Sequence, residues 1–272
     1  MKKIGFVDYY IGEWHANNYP NWIKNAAEAM GEDFKVSYVW AEDFVSHVSE
    51  TTTDDWCAKF GAEKCETIEE LCEKSDYIVI LAPSDPDKHL GYAEKVLPYG
   101  KNTYIDKTFA PDYETAVKIF DIAKKYGTKF FSSSALRYGT ELDGLEAKES
   151  VATTGAGGTL NEYAIHQVEM VIRLLHADVI SVKGVQDGET QRFYCEFEGG
   201  KKATISYDHS FSFSVSVDGG EPIPMKSNFF QKLLDDVLRF FVTGETSFDI
   251  NETLQAMKLR DLVLSEQSKL EA

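Results

Sequence analysis

The sequence predicts an α/β protein in two parts. Residues 1–134 read as an N-terminal doubly wound parallel sheet, and residues 135–272 as an α+β domain containing a mostly antiparallel, open sheet. Three observations carry this expectation. Short apolar runs alternate with amphipathic stretches of helical length up to Ser134, the pattern of strand–helix–strand units with right-handed crossovers. The run Tyr77 to Leu81 is continuously apolar, as a strand covered on both faces requires. Beyond Val179 the chain alternates between strand-like segments and the turn pairs Asp187-Gly188, Gly199-Gly200 and Asp218-Gly219.

Lys3 to Val7 reads as the first strand. Asn17 to Met30 follows as a helix, with Trp22, Ile23, Ala26, Ala27 and Met30 at helical spacing, Pro20 in its first turn and Gly31 as its stop. Phe34 to Trp40 alternates as a second strand, Thr51 to Phe60 and Thr67 to Lys74 are helical, and Tyr77 to Leu81 is the third strand. His89 to Leu97 is a helix closed by Pro98 and Gly100, and Asn102 to Ile105 is a strand. Asp112 to Tyr126 is an amphipathic helix with an acidic cap, and Lys129 to Ser132 is the last strand of the first part.

After Tyr138 the texture changes. Glu141 to Glu149 reads as a polar helix and Val151 to Gly158 as a glycine and threonine loop. Leu160 to Leu175 is a helix with Ile165, Val168, Val171, Ile172 and Leu175 on one face. Ile180–Val185, Arg192–Glu198, Lys202–Tyr207 and Phe211–Val217 form a predicted β-meander, closed by helices over Phe229–Val242 and Asn251–Gln267. Phe193, Cys195 and Phe197 alternate onto one face, as do Phe211, Phe213, Val215 and Val217, which predicts apolar surface available for self-association.

The 272 residues are 43% apolar and carry a net charge of -17, a negative field that disfavours unassisted binding to nucleic acid or anionic membranes. No stretch approaches the roughly 20 apolar residues that span a bilayer. Met1-Lys2-Lys3 runs directly into a strand, so the expectation is a soluble, cytoplasmic protein. Cys57, Cys65 and Cys72 lack metal-ligand spacing, and Cys195 alternates with aromatics, so all four cysteines read as buried thiols with no metal site.

Chemistry is expected at Lys107, in the run Tyr104-Ile105-Asp106-Lys107-Thr108-Phe109, just beyond a strand of the parallel sheet. Ligands of open α/β sheets bind at the carboxyl ends of their strands. The first turn reads Asp8-Tyr9-Tyr10-Ile11-Gly12, without the glycines that let a backbone approach a pyrophosphate. Asp8 adds negative charge close to where a diphosphate would lie. Tyr9, Tyr10, Trp14, Tyr19 and Trp22 admit two readings, stacking on an adenine or sugar and packing around a turn.

Several stretches, taken in order, resemble the Gfo/Idh/MocA oxidoreductases. They are Phe60-Gly61, Ile68 to Leu71, Asp76 to Ile80, Pro83, His89, Gly100-Lys101 and Asp106-Lys107-Thr108. Gly157-Gly158-Thr159-Leu160 with Glu162, His166 and Glu169, and the closing segments from Phe229, Thr243 and Asn251, continue the likeness. The resemblance implies a Rossmann-like first domain that binds NAD or NADP, a sugar-like or polyhydroxylated substrate, and a homodimer or homotetramer formed through the C-terminal sheet. It places Lys107 and His166 at the reacting carbon and, with Tyr9, Tyr10, Gly12, Glu42, Pro83, His89 and Asp106, assigns Lys107 to the cofactor. Arg137 and Glu162 join Lys107 and His166 on the substrate side. Arg137 is equally readable as a structural ion pair, and Glu169 as a group orienting His166 or as an exposed helix charge. Asp-Lys-Thr stands where the family has Glu-Lys-Pro, and Glu162 and Ala164 replace an aspartate and a glycine. The family's long first strand of the second domain is expected to be missing between Tyr138 and Gly155. A non-catalytic binding or scaffold protein on the same fold is the alternative, in which Asp8, Tyr9 and Tyr10 fill the phosphate place.

Overall fold

A computed structural model describes all 272 residues, which cluster into two units. The first holds Met1–Ser132 and Leu233–Ser247, and the second Ser133–Lys232 and Phe248–Ala272. Residues 233–247 fall in the range expected for the second domain and cluster with the first unit.

The first unit is a parallel sheet with helices. Its elements are β1 (Lys2–Tyr10), α1 (Trp14–Met30), β2 (Phe34–Asp43), α2 (Thr53–Phe60), β3 (Glu63–Lys64), α3 (Ile68–Lys74), β4 (Tyr77–Ile80), α4 (Asp87–Val96), β5 (Thr103–Ile105), α5 (Tyr113–Tyr126) and β6 (Phe130–Phe131). The strand order β3-β2-β1-β4-β5-β6 is that of a dinucleotide-binding sheet, with the reversal of winding between β1 and β4. Ile4, Phe6, Val7, Ile78, Val79 and Ile80 are completely covered, which explains the unbroken apolar runs.

Two boundaries differ from the sequence reading in a way that shapes the site. β1 runs on through Tyr10 and so occupies the residues expected to form the first turn. α1 starts at Trp14 rather than Asn17, because the Glu13 side chain caps it, and Pro20 therefore lies inside the helix instead of in its first turn. All four cysteines are buried and free; burial pushes the thiols of Cys57 and Cys65 up to about 11 and those of Cys72 and Cys195 up to about 12.

The second unit contains β7 (Ser150–Gly155), α6 (Leu160–Leu175), β8 (Val179–Asp187), β9 (Thr190–Phe197), β10 (Lys202–Tyr207), β11 (Ser214–Val217) and β12 (Ile223–Pro224). α7 (Phe229–Thr243) passes from the second unit to the first at Leu233, and α8 (Asn251–Leu270) returns to the second. The sheet order is β12-β11-β7-β10-β9-β8.

The observed elements correct four expectations. Residues 151–155 are not a loop but strand β7, parallel to β10 and antiparallel to β11, so the strand expected to be missing between Tyr138 and Gly155 is present. The meander accordingly stops at β10, and β11 pairs with β7. Thr140–Leu142 is a single 3-10 turn, and no α-helix forms over 141–149.

The first of the two apolar rows is covered, whereas in the second only Val215 is buried and Phe211, Phe213 and Val217 are half-buried. Gly184 of β8 lies against Glu266 and Leu270 of α8, and its cross-strand partner Phe193 shares that covered face. Phe193, Cys195 and Phe197 are all buried. The opposite face is polar, with Lys183, Tyr194 and Thr204 in one cross-strand row and Glu196 beside Lys202 in another. No helix is long and apolar enough to cross a membrane.

Candidate functional site

In the first unit, the carboxyl ends of β1, β4 and β5 gather a buried polar cluster. Asp106 is its centre. Its Oδ1 accepts from the Tyr19 hydroxyl at 3.1 Å, the Tyr104 hydroxyl at 3.2 Å and the Lys107 backbone N–H at 2.8 Å, while Oδ2 meets His15 Nδ1. Burial alone would raise this carboxyl, but the His15 ring and then the Lys107 charge outweigh it and hold Asp106 below its ordinary range. The His15 ring stacks on Tyr19 at 5.1 Å. Lys107 is itself largely buried, and its Nζ donates to the Pro83 carbonyl at 3.2 Å, which fixes the ammonium beside the chain leaving β4. The Lys107–Thr108 peptide bond is cis.

His89 belongs to the scaffold of this region. Its Nδ1 lies 3.0 Å from the Phe109 carbonyl and its Nε2 2.5 Å from the Leu81 carbonyl, tying the segment after β5 to the segment after β4. Burial pushes the imidazole below its ordinary value, against the pull of the two carbonyls.

The first turn carries two carboxylates in place of glycines. Glu13 caps α1 with both oxygens: Oε2 accepts from the His15 N–H at 2.6 Å, and Oε1 accepts from the Ala16 N–H. Burial raises Glu13, partly offset by His15 and the two N–H donors. Asp8 Oδ1 accepts from the backbone N–H groups of Tyr9 at 2.8 Å and Ala82 at 3.0 Å, whereas its buried Oδ2 has no hydrogen-bond partner. Burial and then the Glu13 charge raise Asp8 well above the ordinary carboxylate range. Gly12 keeps a positive φ of 94°, and its backbone packs against Ser46 and Thr51.

At the end of β2, Glu42 accepts from Lys88 Nζ at 2.7 Å and from the Tyr92 hydroxyl at 2.6 Å, and the Lys88 bond leads in lowering its carboxyl. Tyr9 and Tyr10 face the loop that follows. The His47 ring stacks on Tyr10 at 4.4 Å and meets Tyr9 edge-on at 4.9 Å, while Lys88 Nζ lies 4.0 Å from the Tyr9 ring centre.

A dinucleotide needs free N–H groups at the start of α1 for its diphosphate and a free acid after β2 for its ribose. Here Glu13 takes the former and Lys88 with Tyr92 takes the latter. In this conformation the turn does not fit a diphosphate.

The second unit holds the remaining predicted residues. His166, half-buried on α6, is 2.6 Å from the Ser134 hydroxyl through Nδ1, with the rings of Tyr163 and Phe213 at 5.7 and 5.6 Å. Thr159 caps α6 by accepting from the Glu162 N–H at 3.3 Å, which places Glu162 in the first turn. Gly157, at φ 150°, lies beneath the Tyr163 ring, where a Cβ would collide. Arg137 is an internal ion-pair centre. Its Nη1 is 2.9 Å from Glu169, its Nη2 meets Glu252, and the Phe248 ring lies 3.9 Å from its guanidinium carbon. Glu169 is therefore a buried partner of Arg137 rather than an exposed helix charge. Burial raises its carboxyl against the lowering effect of Arg137.

Glu13 and His15 are the residues that sequence reasoning missed. The available signal is an acid, Glu13, immediately before the helix that opens Trp14-His15-Ala16.

Comparison with known proteins agrees with the fold. Residues 10–134 match the family model Gfo/Idh/MocA, an oxidoreductase family with an NAD-binding Rossmann fold. No curated protein sequence matches the chain. Among solved structures, a UDP-N-acetylglucosamine 3-dehydrogenase from Acidithiobacillus ferrooxidans is similar at 12% identity and a TM-score of 0.74, covering 97% of both chains. An aldose-aldose oxidoreductase from Caulobacter crescentus, complexed with glycerol, is similar at 14% identity and a TM-score of 0.74, covering 98% of both. A biliverdin reductase from Synechocystis sp., in complex with biliverdin and NADP+, is similar at 16% identity and a TM-score of 0.70, covering 97% of this chain and 98% of that one. At these identities the likeness shows the fold, and it extends through both units.

Proposed function

We propose that this chain, which belongs through residues 10–134 to the Gfo/Idh/MocA oxidoreductase family, transfers a hydride between NAD or NADP and a sugar-like or polyhydroxylated small molecule. The position of Lys107 carries the reading. Its ammonium is held beyond β5 by the Pro83 carbonyl, at the carboxyl ends of strands next to the reversal of winding. A cation there suits the oxygen of a secondary alcohol, whose developing negative charge it would stabilise. His166 is the proposed second basic residue, its ring oriented by Ser134. Glu162, in the first turn of the same helix, is proposed on the substrate side. The relatives described as acting on a nucleotide sugar and on aldoses support the substrate class.

The test is titration with NADH and NADPH followed by protein fluorescence, together with a panel of sugars and polyols assayed for cofactor reduction. Saturable binding and turnover of at least one polyol are expected. Absence of binding into the millimolar range overturns the reading.

A second reading, a non-catalytic binding protein, is favoured by the Glu13 carboxylate on the N–H groups of α1. Ligand binding without any cofactor reduction would select it. Association into a homodimer or homotetramer through the polar outer face of the second sheet is part of the proposal, and light scattering tests it.

A further inference from the structure

Four main-chain N–H groups at the mouth of the first unit, those of Tyr9, His15, Ala16 and Ala82, are all taken by two carboxylates of the chain itself. Such groups, two of them opening a helix of 17 residues, form the anion-binding end of this fold. Glu13 uses one oxygen on each of two successive N–H groups, as an oxyanion would. Helix caps are ordinarily the short side chains of Ser, Thr, Asp or Asn, so this longer acid is not explained by capping preference. Glu13 is also buried, 7% exposed, and its charge bears on Asp8.

We infer that Glu13 and the diphosphate of NAD(P) are alternative occupants of the α1 N-terminus, so that Glu13 is a built-in competitor setting how tightly this chain takes its dinucleotide. The inference rests on the dehydrogenase reading above and deepens it. With Glu13 in place, a diphosphate would lack its N–H donors and would face a like charge at close range; with Glu13 withdrawn, both obstacles go.

The experiment compares wild type, Glu13→Gly and Glu13→Gln in calorimetric titrations with ADP-ribose and with NADH. Glycine is tolerated at a helix cap, and Gln keeps a hydrogen-bond acceptor without the charge, so one variant covers for the other if folding, followed by circular dichroism, suffers. Tightening of both probes by about tenfold or more in Glu13→Gly, with Glu13→Gln between it and wild type, is the expected result. Equal, saturable binding by all three proteins overturns the competition and leaves the dehydrogenase reading standing. Absence of binding by all three overturns both.

Discussion

Arg137 and Glu169 form a buried ion pair, Nη1 to Oε2 at 2.9 Å, inside the second unit. Glu252 closes on the other guanidinium nitrogen, so one cation serves two carboxylates.

Removing that cation leaves Glu169 buried without its charge partner, while Glu252 keeps only the His176 ring at 3.2 Å. Arg137→Met is expected to destabilise the protein by about 3–5 kcal/mol, read by urea denaturation, because breaking a buried pair strands its partner. Arg137→Met combined with Glu169→Gln should recover part of the loss. Wild-type stability in the single variant would contradict a structural role.

Asp8 makes a prediction with a definite sign. Burial and the Glu13 charge raise its folded pKa well above the ordinary value, so the folded state holds this proton more tightly than the unfolded state. The stabilisation is complete below the unfolded value of about 3.9 and is lost as pH rises through the folded pKa. Asp8→Asn keeps an acceptor for Tyr9 and Ala82 and never ionises. Its melting temperature should therefore exceed that of wild type by an amount that grows from acid toward neutral pH. A constant difference across that range would contradict the assignment.

If Lys107 acts at the reacting oxygen, Lys107→Met should lower kcat by about a hundredfold or more while NADH affinity changes little. Steady-state kinetics on the best polyol, with NADH titration alongside, separates this from general damage. A large loss of NADH affinity with kcat preserved would place Lys107 on the cofactor alone.

Gly155 ends β7 with its Cα against Gln167 and Phe213, each within 2.6 Å of where a Cβ would sit. Gly155→Ala is expected to cost about 1–3 kcal/mol by overpacking, measured by chemical denaturation. An unchanged midpoint would mean that α6 shifts freely over this strand.

Much of the fold was legible because its signals are local. α6 has the predicted bounds Leu160–Leu175, and its apolar face is buried as its spacing requires. Strand β7 escaped because two of its three inward residues, Thr153 and Gly155, are small or polar and read as a loop, leaving Val151 as the lone apolar signal. The pairing of β11 with β7 is a long-range choice that no turn sequence encodes. Lys107 was legible from its place after a strand. The role of Glu13 was not, since rules for helix starts look for shorter side chains, and neither was the continuation of β1 through Asp8, an acid that stays in a strand by burying its carboxyl.

The composition of the first unit bears on how the protein is made. Phe241 stacks on Tyr77 at 4.8 Å, Phe240 meets Phe131 at 5.0 Å, and Asn102 donates to the Phe241 carbonyl at 3.0 Å, all inside that unit. These partners are translated only after residues 133–232. On the ribosome the parallel sheet must wait, with aromatic surface uncovered, until residues 233–247 have emerged. A nascent chain stalled before Leu233 should engage holding chaperones, and release should follow synthesis of the segment through Ser247.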